Sequence, residues 1–163
     1  VVVNHIWRFQ PKIQQEVDAR IRSLNLPAAY VGVHLRGGDK VTEAKVSPFY
    51  DYINYIKNIS ALKELFVFTD DYKNIIELKS SFPDYHIYTF CKEGEKGFSE
   101  GAYNLLNKEA KKEITIKVLT DSEVLYKSSV FVGTMSSNVG LFIGMRRNAE
   151  LWYGIDANQW RMW

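Results

Sequence analysis

The feature that most limits what this chain can become is a repeated alternation. Short unbroken apolar runs, "AAYVGVHL" (28–35), "ELFVFT" (64–69), "YHIYTF" (85–90), "VFVG" (130–133) and "ELWYGI" (150–155), are separated by stretches with helical periodicity. A strand that is apolar at successive positions must be buried on both faces. In a chain that alternates strand and helix, that condition is met by a parallel sheet with helices on each side. The predicted fold is therefore α/β: a Rossmann-like parallel sheet with helices on both faces.

The intervening stretches carry their own signals. "PKIQQEVDARIRSL" puts Ile13, Val17, Ile21 and Leu24 on one stripe, with Pro11 in the first turn. "SPFYDYINYIKNI" predicts a helix with Ser47 as N-cap and Pro48 at the first helical position. "DDYKNIIELKSSF" opens on carboxylates that suit a helix N-terminus and stops before Pro83. A long helix is predicted over 108–127, and a shorter one begins at "NVGLFIGMRR". Between them and the third strand, "KEGEKGFSEGAYNLLN" (92–107) reads as a polar, glycine-punctuated connection of a length that is often functional. No repeat or linker divides the 163 residues, so residues 1–163 are expected to form a single domain.

Charge is balanced, with 21 Lys and Arg against 19 Asp and Glu, which argues against nucleic-acid or membrane-surface partners. No run is long enough to span a bilayer, and no signal segment opens the chain; beginning without an initiator methionine, it is expected to be a domain or mature fragment. The single cysteine, Cys91, cannot form an internal disulfide and reads as a small apolar residue near a strand end. Asn58-Ile59-Ser60 is a formal glycosylation sequon, but it falls at a helix end. His5, His34 and His86 have no metal-ligand spacing, and Asp70-Asp71 lacks a third partner, so no metal is expected.

In open α/β sheets, ligands bind beyond the carboxyl ends of the strands. Three polar clusters fall there: "RGGDK" after the first strand, "TDD" after the second and "TMSSN" after the fourth. Arg36 offers a guanidinium fork suited to phosphate oxygens, Gly37-Gly38 permits close approach, and Lys40 adds a second cation. Ser136 and Ser137 open a helix, where hydroxyls and unpaired amides favour an anion. Together these point to a pyrophosphate, although neither a G-x-G-x-x-G nor a Walker loop follows a strand. Taken singly, each cluster has a plainer reading: an Arg36–Asp39 surface pair on a glycine turn, caps at Asp70-Asp71 and Ser136-Ser137, a core histidine at His34. Their convergence on one rim favours a site. The aromatic residues Trp152, Tyr153, Trp160 and Trp163 are expected mainly to pack rather than to contact sugars.

"GVHLRGGDKVTEA" resembles the "HVRRTDKVGTEA"-type segment of α1,6-fucosyltransferases, the enzymes of N-glycan core fucosylation and their rhizobial nodulation relatives. "WRFQPKIQQEV", "FVFTDD", "TDSEVLYKSSVFVGTMSSNVG" and "LWYGID" are similar to further family segments, in the same order and over nearly the whole chain. The resemblance implies the C-terminal, donor-binding lobe of a GT-B enzyme. It further implies inverting transfer of L-fucose from GDP-fucose to a sugar hydroxyl of a glycan acceptor, with α1,6 linkage and no required metal. Arg36 and Ser137 would hold the β-phosphate, while His34 and Asp121 would lie against the nucleoside, Asp121 accepting from guanine N–H groups. Asp39, Tyr52, Asp70 and Asp71 would shape the site; Ser136, read from its place at the helix start, is expected to contact the donor. Glu43 would be the general base, with Lys40 relaying a proton or countering charge.

An N-terminal lobe would be the partner of this one, and a eukaryotic parent would place it in the Golgi lumen with its anchor elsewhere. The chain departs from the family at Gly37 and Gly38, where a second basic residue and a threonine are common. It also lacks the glycine between Val41 and Thr42, which shortens the path to Glu43 by one residue. The alternatives are another fucosyl linkage, a nucleotide-sugar-binding module without turnover, and an interaction domain that kept the fold and lost the ligand.

Overall fold

The computed structural model describes residues 2–35, 48–134, 136–147 and 151–156. Elements run α1 (Val2–Ile6), α2 (Pro11–Ser23), β1 (Val31–His34), α3 (Phe49–Ile59), β2 (Glu64–Phe68), α4 (Tyr72–Ser81), β3 (His86–Tyr88), α5 (Glu100–Asn104), α6 (Lys108–Lys127), β4 (Val130–Gly133), α7 (Asn138–Arg146) and β5 (Trp152–Gly154). The five strands form one parallel sheet in the order β3-β2-β1-β4-β5. Val31 of the central strand pairs with Leu65 on one side and Val130 on the other.

Alternation along each strand sorts its side chains into two cores. Val31, Val33, Leu35, Leu65, Val67 and Val132 pack with Tyr52, Ile53 and Ile56 of α3 and Ile75 and Leu78 of α4. Phe66, Phe68, Phe131 and Trp152 face the other way, against Val124 and Leu125 of α6 and Ile143 of α7, with Ile21 of α2 at the margin. Helices therefore cover both faces, as the unbroken apolar runs predict. Chain direction reverses between β1 and β4: α3 and α4 lead outward on one face, and α6 carries the chain back across the other. This is the doubly wound arrangement, with its switch point between the ends of β1 and β4.

Local chemistry sets the helix limits. Pro11 occupies the first turn of α2, and Asn25, with a φ of 48°, adopts the left-handed conformation that stops it. Asn107 caps α6 by accepting from the Ala110 amide at 2.8 Å, and α6 spans the predicted 108–127. α3 begins one residue later than predicted: Pro48 is extended, with ψ of 151°, and serves as the N-cap residue instead of the first helical one. Ser47 lies outside the described residues. The loop predicted over 92–107 contains a short helix, α5, capped by Ser99.

Two of the described glycines, Gly32 and Gly140, sit where a helix end comes close to a strand. A Cβ on Gly32 would meet Ser128 Oγ at 2.7 Å, so α6 can end against β1 only if this position has no side chain. A Cβ on Gly140 would sit 1.9 Å from the Thr134 carbonyl oxygen, which fixes how closely the start of α7 lies on the end of β4. Cys91 is buried at 6% exposure, and burial pushes its thiol up to about 12, so it behaves as the apolar residue expected.

Candidate functional site

The described part of the site lies along the carboxyl ends of β2, β1 and β4. His34 ends β1 and is buried. Across the switch point, Ser137 is the N-cap of α7, and its hydroxyl accepts from the Gly140 amide at 3.2 Å. The same hydroxyl stands 3.4 Å from His34 Nδ1, a long contact that joins the end of β1 to the start of α7. On its other side the His34 ring lies 5.0 Å from that of Phe68, the last residue of β2. Lys117 of α6 places its ammonium 5.9 Å from the Phe68 ring centroid and 3.8 Å from Asp121 Oδ2. A continuous run of neighbours thus connects Ser137, His34, Phe68, Lys117 and Asp121 along one rim.

Asp121 is the least comfortable group in this run. It is 1% exposed, and among the described residues neither carboxylate oxygen has a hydrogen-bond partner. Lys117 at 3.8 Å is an ion contact too long to count as a hydrogen bond. Burial raises the carboxyl to about 8; attraction to Lys117 pulls it down, and Glu95 pushes it up. A buried carboxylate short of donors is costly to keep unless something supplies them. Thr134 Oγ1, between β4 and α7, and Asp70 Oδ1 are further buried oxygens without a hydrogen-bond partner among the described residues.

The two adjacent aspartates after β2 divide their work. Asp71 caps α4, its Oδ1 accepting from the Lys73 amide at 3.0 Å. Asp70 instead holds the polar loop: its Oδ2 accepts from the Phe98 amide at 2.7 Å and its carbonyl from the Gly97 amide at 2.8 Å. The Tyr72 amide donates to the Glu95 carbonyl, and Asp71 bridges Lys96, so residues 95–98 are laid against the end of β2. Glu95 then reaches Lys117 at 3.2 Å. Sequence reasoning marks the loop as functional but misses Glu95, Lys117 and Phe68. The one readable signal is the four-residue spacing of Lys117 and Asp121 on a helix.

Tyr52 is buried in α3 within the cluster that contains Leu35. Ser136 is exposed, and its amide donates to Asp156 Oδ2 at 2.9 Å, so a carboxylate already engages one amide of the turn where an anion is expected. Arg36, Asp39, Lys40 and Glu43 lie outside the described residues, as do Trp160 and Trp163. Leu35, immediately before Arg36, donates its amide to the Phe68 carbonyl at 2.9 Å, so the chain leaves the sheet at the middle of this rim. Trp152 is buried, donating its indole N–H to the Gly140 carbonyl, and packs as expected.

A family model described as alpha-(1,6)-fucosyltransferase N- and catalytic domains matches residues 1–142. The chain belongs to that family. Among solved structures, NodZ α1,6-fucosyltransferase soaked with GDP-fucose is similar at a TM-score of 0.57 and 17% identity, over 83% of this chain and 42% of that one. The fucosyltransferase NodZ from Bradyrhizobium matches at 0.53 and 15% identity, over 85% and 41%. POFUT1 in its apo form matches at 0.55 and 15% identity, over 90% and 46%. At these identities the likeness establishes the fold, a Rossmann-like α/β layer of the kind found in GT-B fucosyltransferases. The chain spans less than half the length of these relatives. Among the described residues no group of three or more His, Cys, Asp or Glu side chains could hold a metal ion.

Proposed function

We propose that residues 1–163 are the donor-binding unit of a fucosyltransferase, and that its rim holds GDP-fucose for inverting transfer of L-fucose to a glycan hydroxyl in α1,6 linkage. The observation that carries this is the meeting of Ser137 and His34 across the switch point, with Arg36 two residues after His34. A guanidinium and a hydroxyl-tipped helix start from these positions would grip the β-phosphate from two strands. The α7 N-terminus adds partial positive charge where the diphosphate departs. Asp121 supplies two acceptor oxygens in need of donors, and guanine presents adjacent N–H groups. Asp70 holds the loop that flanks this end of the rim, Asp71 sets the start of α4, and Asp39, Tyr52 and Ser136 support the surrounding geometry.

In the transfer step, Glu43 removes the acceptor hydroxyl proton as that oxygen bonds to the anomeric carbon from the face opposite the diphosphate. The C–O bond to the β-phosphate breaks, and Arg36, Lys40 and Ser137 receive the charge on the departing GDP. This scheme uses only protein groups for charge stabilisation, with no metal. An N-terminal lobe and the acceptor glycan would be its partners.

The test is product analysis: GDP-fucose and a core N-glycan acceptor are incubated with the full-length parent, and the linkage is read by NMR. An α1,6-fucosyl product, lost in Glu43→Gln, supports the proposal; a different linkage or full activity in Glu43→Gln contradicts it. A second reading is favoured by the one-residue shortening before Glu43, which moves the carboxylate that has to reach the acceptor. On that reading the unit binds nucleotide sugar without turnover, and GDP-fucose would be neither transferred nor hydrolysed.

A further inference from the structure

Lys117 has no role in the transfer step, yet it is the cation at the buried end of the rim. Its ammonium lies 3.2 Å from Glu95 Oε2 and 3.8 Å from Asp121 Oδ2, so one positive charge serves two carboxylates. Glu95 is not a loosely held surface residue. Its carbonyl accepts from the Tyr72 amide at 2.9 Å, and its Oε1 accepts from the Lys92 amide at 2.9 Å. Asp70 fastens the same loop two and three residues on, at Gly97 and Phe98. Asp121, by contrast, has among the described residues one charged partner, Lys117 on its own helix. The nearer, better-anchored carboxylate therefore has first hold on the ammonium, and Asp121 is left under-compensated and, among the described residues, without hydrogen-bond donors.

We propose that Lys117 is a positioning residue for nucleotide recognition: a counter-ion shared between Glu95 on the loop and Asp121 on the rim, so that the loop's hold on Lys117 sets how readily Asp121 receives a base bearing adjacent N–H donors. The proposal rests on Asp121 facing the nucleobase, as in the proposed function. The balance of charges agrees with the geometry, since Lys117 and Glu95 act on the Asp121 carboxyl in opposite directions. Other titratable neighbours are Cys91, whose thiol stays protonated, and Asp70, which with Asp121, Glu95 and Lys117 acts on that thiol.

A shared counter-ion has a signature that a merely structural residue lacks: removing the cation and removing its competitor move the site in opposite directions. Lys117→Met keeps the stem and deletes the charge. Asp121 should then titrate at least one pH unit higher, and GDP affinity at pH 7 should fall about tenfold, because the fraction able to accept falls by that factor. Glu95→Gln should lower the Asp121 midpoint and tighten GDP, and Lys117→Arg should restore most of the loss.

Two readouts are needed: the Asp121 carboxyl midpoint by 13C NMR of the labelled side chain, and GDP calorimetry between pH 6 and 8.5. Urea midpoints of each variant confirm that it is folded. Unchanged Asp121 midpoints in both variants overturn the proposal. So does lost affinity in Lys117→Met without any displacement of the pH profile, which would make Lys117 a direct ligand contact. If the wild-type chain binds no GDP, the nucleotide reading fails; opposite NMR displacements in the two variants would still establish the shared counter-ion.

Discussion

Replacing Asp121 with asparagine separates what this carboxylate costs the fold from what it gives the site. The folded carboxyl sits at about 8 against an ordinary 3.8, with burial as the main cause. Between those values the folded chain keeps a proton that the unfolded chain has released. Stability contributed by the wild-type residue is therefore greatest below the lower value and declines as pH rises towards 8, by about 1.4 kcal/mol per unit. Over the whole interval the ceiling is about 6 kcal/mol, and relaxation around an ionised side chain brings the expected loss to about 3 kcal/mol. Asparagine has the same shape and does not titrate. Urea unfolding of both proteins at pH 5, 6, 7 and 8 should give curves that diverge, Asp121→Asn gaining relative stability at each step. The same variant should lose GDP affinity, since an amide offers one acceptor oxygen where the carboxylate offers two. Parallel stability curves would refute the account of a carboxyl buried at the fold's expense.

GDP binding to the wild-type chain should tighten about fiftyfold between pH 6 and 8 as Asp121 ionises, and calorimetry with Asp121→Asn as reference should show that dependence flattened. Gly140→Ala should cost about 2–4 kcal/mol in urea unfolding and weaken GDP binding, because the new methyl overlaps the Thr134 carbonyl and pushes α7 off β4. Asp156→Asn should tighten GDP about two- to fivefold at low salt, since Asp156 places a negative charge on the Ser136 amide beside the proposed phosphate position. Asp70→Ala should raise hydrogen exchange at the Phe98 amide, whose partner is the Asp70 carboxylate, more than at the Gly97 amide, whose partner is the Asp70 main-chain carbonyl.

How much of this is legible in the sequence depends on whether a residue's partner is near in the chain. Strands made only of apolar residues, such as 65–68, have one place to go, so the sheet and the order of elements follow from the residues themselves. Asp121 and Ser137 can be singled out by resemblance, and Ser137 by its place at a helix start. Their surroundings cannot be foreseen. Glu95 meets Lys117 from 22 residues away, and Trp7 donates to Glu123 from 116 residues away, bringing α1 against the buried Glu123–Arg146 pair. No local pattern encodes such pairings. Asp70 and Asp71 look alike in sequence, and only the path of the loop decides that one caps a helix while the other holds residues 97 and 98. The short helices α1 and α5, each five residues, carry too little periodicity to be seen. The start of α3 is off by one residue because proline suits both the N-cap and the first turn.

The central claim is that a guanidinium after β1 and the capped start of α7 close on one diphosphate. Calorimetry of GDP against the wild-type chain, Arg36→Ala and Ser137→Ala tests it most directly. Binding that weakens at least tenfold in each variant, with guanosine binding much less affected, is the predicted result. Equal GDP affinity in all three proteins would contradict it.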